Sequence, residues 1–115
     1  MSILGLDYGK AKVGVALATG ILAEPLTTLN TQTSIQLIRE LITKHNVDKI
    51  IIGEVSEEFL AELNGLGLEV KVVDETLSSH DARESLLHTT RKRRRELEHA
   101  AAATIILQNW LDYHD

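Results

Sequence analysis

Residues 3–16 read ILGLDYGKAKVGVA. An apolar run ends on a lone carboxylate, Asp7, and a glycine-containing turn at residues 8–10 leads into a second apolar run. This pattern predicts two paired antiparallel strands, over residues 2–8 and 12–18. A charge at the end of a hydrophobic run costs free energy unless something pairs with it. Asp7 is therefore either a turn former or a ligand for a cation.

The rest of the chain predicts an α/β fold. Gly5 and Gly14 inside the first two strands permit close backbone approach. Apolar periodicity and turn residues predict further strands near 26–29, 48–53 and 68–73, and helices near 33–46, 56–64, 78–88 and 96–112. A meander followed by alternating strands and helices predicts a mixed five-stranded sheet, three antiparallel strands and then two parallel ones, flanked by helices.

Composition limits the class of protein. The 115 residues, 43% of them hydrophobic, suit one globular domain spanning residues 1–115. Cysteine is absent, which excludes thiolate nucleophiles and agrees with a reducing compartment. No signal peptide or membrane-spanning run is present, because charged residues interrupt every apolar stretch. We expect a soluble, cytoplasmic protein without a membrane partner.

The charge is unevenly distributed. The formal net charge is -5, yet five of the twelve Lys and Arg residues lie side by side at Arg91, Lys92, Arg93, Arg94 and Arg95. Such a run is either a solvated loop or a surface that contacts phosphate. The sequence leaves both interpretations open.

Three acids lie at the carboxyl ends of predicted strands that share one edge of the sheet. They are Asp7, Glu54 and Glu75, at the ends of the first, fourth and fifth strands. Converging carboxylates repel one another unless a cation neutralises them, and oxygen ligands favour Mg²⁺ or Mn²⁺. Each acid also has a simpler explanation: Asp7 as a turn residue, Glu54 as an acid at a helix start, and Glu75 as a solvated residue.

Three segments resemble the YqgF/RuvX family of ribonuclease H-like nucleases. They are residues 3–16, with Glu24-Pro25-Leu26 after them, residues 73–79 (VDETLSS), and residues 102–108 (AATIILQ). The resemblance spans nearly the whole chain and keeps the order of the motifs. It implies a ribonuclease H-like fold, metal-dependent phosphodiester hydrolysis in 5′-end maturation of pre-16S rRNA, and metal binding by Asp7 and Glu75.

Two positions depart from the family pattern. Where the family has Gly-Leu-Pro and a longer polar loop, this chain has Gly53-Glu54-Val55, so Glu54 can supply a carboxylate from a shortened loop. Where the last helix of the family begins with an aspartate, the chain has His99, which can bind a metal or hold the attacking water, or can be an ordinary helix histidine. Glu96, one turn earlier, is an alternative source of the carboxylate.

The basic segment matches the Lys/Arg-rich loop that the family carries before its last helix. This favours phosphate contacts by Arg91, Lys92, Arg93, Arg94 and Arg95, and Lys10 beside the turn can contribute. With one Trp, two Tyr and one Phe, base stacking is expected to matter little, and Trp110 is expected in the core.

The leading hypothesis is a Mg²⁺- or Mn²⁺-dependent endonuclease that acts on pre-rRNA, in contact with ribosomal precursor particles, with Asp7, Glu75, Glu54 and His99 at its site. A Holliday junction resolvase acting on branched DNA is the second enzymatic hypothesis, and it requires a homodimer instead of a monomer. A nucleic-acid-binding module with weakened catalysis is a third. A small-molecule phosphate-binding domain is a weaker alternative, since the chain lacks a second domain.

Overall fold

The structure, a computed structural model, describes residues 2–73 and 91–114, and within the second stretch it describes the side chains of residues 98–113. The first two strands, residues 2–8 and 12–18, have the predicted bounds. The elements in chain order are β1 (Ser2–Tyr8), β2 (Lys12–Ala18), β3 (Ala23–Asn30), a 3-10 turn (Thr31–Thr33), α1 (Ser34–His45), β4 (Val47–Ile52), α2 (Glu57–Asn64), β5 (Glu69–Val72) and α3 (Arg91–His114).

The strands form one mixed sheet in the order β3-β2-β1-β4-β5. The pairs β1–β2 and β2–β3 are antiparallel, whereas β1–β4 and β4–β5 are parallel. This confirms the predicted sheet. Because β1, β4 and β5 are parallel neighbours, their carboxyl ends share one edge.

Strand β3 is longer than predicted. It covers residues 23–30 instead of 26–29 and includes Pro25, which pairs with Ala16 where the register shifts. Proline cannot donate a ladder hydrogen bond, but β3 is an edge strand, where a missing donor is tolerated.

Alternation along β1 divides the core into two layers. Leu4 and Leu6 are fully buried with residues of α1 and α2, such as Ile38 and Phe59. On the opposite face, Ala103, Ile106, Leu107 and Trp110 of α3 pack against Ala16, Ala18 and Ile51 of the sheet. Trp110 is 8% exposed, so its predicted place in the core is confirmed. Side chains alternate between the two faces along each strand, and apolar residues recur along one face of each helix, so both sides of the sheet are covered by apolar contacts.

Helix α3 begins earlier than predicted. The expected bounds were 96–112, with the basic segment as a loop before the helix, but the helix runs from Arg91 to His114. The loop interpretation is wrong, and the physical reason is propensity: Arg and Lys are good helix formers, and residues 91–100 contain no Gly or Pro.

The helix ends follow different signals. Residues 33–36 (TSIQ) have the sequence pattern of a capping box, but the Thr33 side chain makes no capping hydrogen bond, and its hydroxyl donates to the carbonyl of Asn30 at 3.5 Å. Ser56 does cap α2, accepting a hydrogen bond from the backbone N–H of Phe59 at 3.2 Å.

The helix predicted at 78–88 lies outside the described residues. In the part that the structure describes, no helix is long and apolar enough to cross a membrane.

Candidate active site

Asp7 is the central acid of the candidate site. It lies near the carboxyl end of the middle strand, pairs with Gly14 of β2, and is only 8% exposed. Leu6 and Tyr8 belong to the layer of α1 and α2, so strand alternation directs Asp7 to the opposite face, under α3. A carboxylate this buried needs a partner.

His99 of α3 is that partner. Its Nδ1 atom lies 3.3 Å from Oδ2 of Asp7, and its side chain is 37% exposed. The hydrogen bond with Asp7 raises the pKa of His99 above 6.5, and the charge of Asp7 acts in the same direction, while partial burial opposes both. A cationic ring donates from Nδ1 to the carboxylate, which satisfies the buried acid.

Glycines bring the two residues together. A Cβ atom at Gly14 would collide with the backbone of His99 and Ala100, and one at Gly5 would lie 2.6 Å from the Cβ atom of Leu107. Both glycines therefore let the α3 backbone lie directly on the sheet, as their positions in the sequence predicted. A side chain at Gly9 would lie 3.5 Å from Cε1 of the His99 ring.

Glu54 lies at the same sheet edge but borders a different space. The N–H of Gly53 donates to the carbonyl of Leu6 at 3.4 Å, which holds the end of β4 beside β1. Glu54 is exposed and lines an open cleft of about 620 Å³. The cleft is also lined by Tyr8, Lys10, Val55, Ser56 and Val72.

The other predicted site residues are placed less completely. Lys10 is exposed and borders the cleft. Glu75 lies outside the described residues, and the side chains of Glu96 and of the basic segment, residues 91–95, are not among those described. For these residues the sequence predictions stand as predictions.

The cleft includes two residues, Tyr8 and Val72, that were not among the predicted site residues. The small number of aromatic residues predicts little base stacking, so Tyr8 was not expected at the site. The available signal was its position directly after Asp7, since alternation places neighbouring strand residues on opposite faces. Val72 is a further lining residue that was not predicted, although it lies near the end of the predicted strand over 68–73, at the edge where ligands bind in open α/β sheets.

Asp7 and His99 can both bind a divalent cation, Asp7 through its carboxylate oxygens and His99 through an imidazole nitrogen. Two residues alone do not complete the coordination shell of such a cation. Among residues 2–73 and the described side chains of α3, no three His, Cys, Asp or Glu residues are grouped closely enough to hold a metal ion. The pair therefore fits part of a metal site that needs further oxygen ligands.

Comparison with known proteins gives consistent results. The family model described as "RuvX: Holliday junction resolvase" matches residues 1–113. A Bacillus mycoides protein named "Putative pre-16S rRNA nuclease" is 36% identical, with 97% of this chain and 98% of the relative covered. A Halothermothrix orenii protein of the same name is 33% identical, covering 100% of this chain and 97% of the relative.

Solved structures show the same architecture. The RuvC protein of T. thermophilus in complex with a Holliday junction has a TM-score of 0.62 at 14% identity, covering 99% of this chain and 96% of that one. The Fowlpox virus resolvase in complex with junction DNA has a TM-score of 0.66 at 13% identity, with 98% of each chain covered. These similarities confirm the predicted ribonuclease H-like fold.

Proposed function

The chain belongs to the RuvX family, and on that basis we propose that it is a divalent-metal-dependent endonuclease in 5′-end maturation of pre-16S rRNA. Nuclease activity is common to the description of the family and to the names of the curated relatives. The proposal treats residues 1–115 as one nuclease domain acting on ribosomal precursor particles in the cytoplasm.

One observation carries the proposal. Asp7 is buried at the end of the central strand, and the ring of His99 lies 3.3 Å from its carboxylate. A buried acid with a titratable partner at the carboxyl edge of a sheet is typical of a functional site. An aspartate that only formed the turn could keep its carboxylate in water, where it would need no partner from a distant helix.

The proposed ligands of Mg²⁺ or Mn²⁺ are Asp7 and His99, together with the sequence-predicted acids Glu75 and Glu54. Glu54 borders the neighbouring cleft and is not grouped with the Asp7–His99 pair in the metal-free structure, so its side chain would have to move to join them. A bound divalent cation would supply charge neutralisation at the phosphate and a more acidic water. Glu54 follows β4, the parallel neighbour of β1, at the carboxyl edge of the sheet. Glu75 comes three residues after the end of β5 in the sequence, and its place among the ligands is part of the proposal. Hydrolysis requires Asp7 in its ionised form.

The chain's own residues have separate tasks. Asp7 orients the His99 ring through Nδ1, which leaves Nε2 to bind the cation or to act as a general base. As a base, Nε2 takes the proton that water loses when its oxygen bonds to phosphorus, while the bond from phosphorus to the leaving oxygen breaks and that oxygen takes a proton from solvent. Both tasks need a neutral ring. Lys10 and the basic segment hold the phosphate backbone, adding affinity that depends on salt and little on sequence.

A second function is favoured by a specific finding. The family model is described as a Holliday junction resolvase, and both structural neighbours were solved with junction DNA. Cutting a four-way junction symmetrically requires two sites, and hence a homodimer, whereas a monomer suffices to cut RNA. Oligomeric state and substrate preference together separate the two functions.

The test compares matched labelled substrates, a 5′-extended pre-16S RNA fragment and a synthetic four-way DNA junction, with Mn²⁺, Mg²⁺ or EDTA. Asp7→Asn is the inactive variant. Asp48→Asn, an exposed acid at the opposite end of β4, is the matched control. Metal-dependent RNA cleavage that Asp7→Asn abolishes and Asp48→Asn retains supports the proposal.

Two results would contradict it. Symmetric cutting of the junction in preference to RNA would move the assignment to a resolvase. Binding of either substrate without cleavage under any metal condition would identify a binding module with lost catalysis.

A further inference from the structure

The cleft beside Glu54 differs in chemistry from the Asp7–His99 pair. It lies at the carboxyl edge of β1, β4 and β5, and its lining combines an aromatic ring, two valines, a hydroxyl, a lysine and a carboxylate. A volume of about 620 Å³ is within the usual range for sites that bind small organic groups, roughly 300–1,000 Å³. We call this space the base cleft, defined by Tyr8, Lys10, Glu54, Val55, Ser56 and Val72.

Tyr8 is held in position at one wall of the base cleft. Its ring packs on Phe59, with centroids 4.8 Å apart and an interplanar angle of 45°. Its phenolic oxygen accepts a hydrogen bond from the Ser56 hydroxyl at 3.4 Å, and Ser56 is itself fixed as the cap of α2. The aromatic wall is thus ordered before any ligand arrives, which lowers the entropy cost of stacking.

The mixed chemistry of the lining selects a type of ligand. Val72 is 51% exposed, an apolar surface that a ligand would cover, and the exposed Lys10 adds a cation to the lining. Glu54 places a carboxylate in the lining, which disfavours a phosphate inside the cleft but can accept hydrogen bonds from amino groups. A flat group with N–H donors, joined to a phosphate that stays outside, satisfies all three.

We propose that the base cleft binds an unpaired nucleobase next to the scissile phosphate, stacked on Tyr8. The chain would then select single-stranded nucleic acid, since a paired base inside a duplex cannot enter a cleft. Of the four aromatic residues, Phe59 and Trp110 are buried and Tyr113 is on the far end of α3, so Tyr8 is the one placed to stack. This inference rests on the proposed nuclease function and adds its substrate class.

The experiment measures binding without catalysis. Full-length protein carrying Asp7→Asn, in EDTA, is titrated with single-stranded RNA heptamers that contain one 2-aminopurine, whose fluorescence falls when the base stacks. Tyr8→Phe keeps the ring and should retain the quenching. Tyr8→Leu should lose it and bind about tenfold more weakly. Tyr113→Leu, at an 83% exposed tyrosine, is the matched control and should change neither.

A second variant covers the case in which Tyr8→Leu does not fold, since Tyr8 packs on Phe59. Val72 lies on the edge strand β5 and lines the same cleft, so Val72→Gln replaces an exposed apolar surface by a longer polar side chain and should also reduce quenching and affinity. The inference would be overturned if every variant that folds kept the quenching and the affinity of the Asp7→Asn protein. It would also be overturned if a duplex bound as tightly as the single strand and its binding also depended on Tyr8. Cleavage by the unsubstituted chain with Mn²⁺ is measured separately. Failure of the base-cleft inference would leave this cleavage intact, whereas failure of the proposed nuclease function would show as its absence.

Discussion

The carbonyl group of His99 lies against the Cα atom of Gly14, with no room for a Cβ atom between them. Gly14 is also the residue that pairs with Asp7 in the ladder between β1 and β2. One glycine therefore lies beside the carboxylate and beneath the helix that carries the imidazole. The close approach of α3 at this point sets the distance between Asp7 and His99.

Gly14→Ala should destabilise the protein, because the new Cβ atom would push the backbone of α3 at His99 and Ala100 away from strand β2. Overpacking of this kind costs about 1–3 kcal/mol, and here no flexible side chain can yield. Urea unfolding monitored by circular dichroism gives the change in the free energy of unfolding. Gly20→Ala is the control, since nothing lies within 4 Å of a Cβ atom there. A Gly14→Ala protein as stable as Gly20→Ala would contradict this account.

The pairing of His99 with Asp7 predicts how stability depends on pH in the absence of metal. The folded-state pKa of His99 is raised above 6.5, so the folded protein binds the proton more tightly than the unfolded chain does. The stabilisation is complete below pH 6.5 and is lost as the pH rises through the folded pKa. Thermal melting in EDTA across this range should show a falling melting temperature.

His99→Gln is the control for the pH experiment. It keeps a side chain that can donate to Asp7 but cannot titrate, so the fall in melting temperature over this range should become smaller. An unchanged pH profile in His99→Gln would assign the dependence to other groups.

The sequence predicted the sheet well because strand alternation is a local signal. Gly5 and Gly14 were correctly interpreted as points of close approach, since few other functions need a glycine in a buried strand. The pairing of Asp7 with His99 was anticipated only through the family motif. Nothing in the spacing of residues 92 positions apart shows that they meet.

The errors have physical causes. The basic segment was interpreted as a loop because like charges suggest solvation, but intrinsic helix propensity continued α3 back to Arg91. The start of α1 was predicted to within one residue, but the Thr33 hydroxyl donates to the carbonyl of Asn30 instead of accepting a capping hydrogen bond. The position of Tyr8 beside the cleft could not be predicted from composition, because it depends on which face of β1 the side chain occupies.

His99→Asp restores the residue that the family usually has and should change metal preference. Imidazole nitrogen favours softer divalent ions, whereas a carboxylate favours Mg²⁺. We expect the ratio of the Mg²⁺ and Mn²⁺ dissociation constants to shift toward Mg²⁺ in calorimetric titrations. Glu98→Asp, on the neighbouring helix position, is the control. A ratio that does not move would show that His99 does not contact the cation.

Reversing two charges of the basic segment, with Arg93→Glu and Arg94→Glu, should weaken the binding of all RNA sequences alike. Fewer counterions are released from the RNA when fewer arginine side chains contact its phosphates. Since two such contacts are removed, the slope of log affinity against log salt concentration should fall in magnitude by about two. Arg39→Glu with Lys44→Glu, two exposed cations of α1, makes the same change in net charge at a surface outside the proposed site. Fluorescence anisotropy over a series of salt concentrations measures both pairs. Equal effects of the two double variants would mean that net charge, and not the basic segment, controls binding.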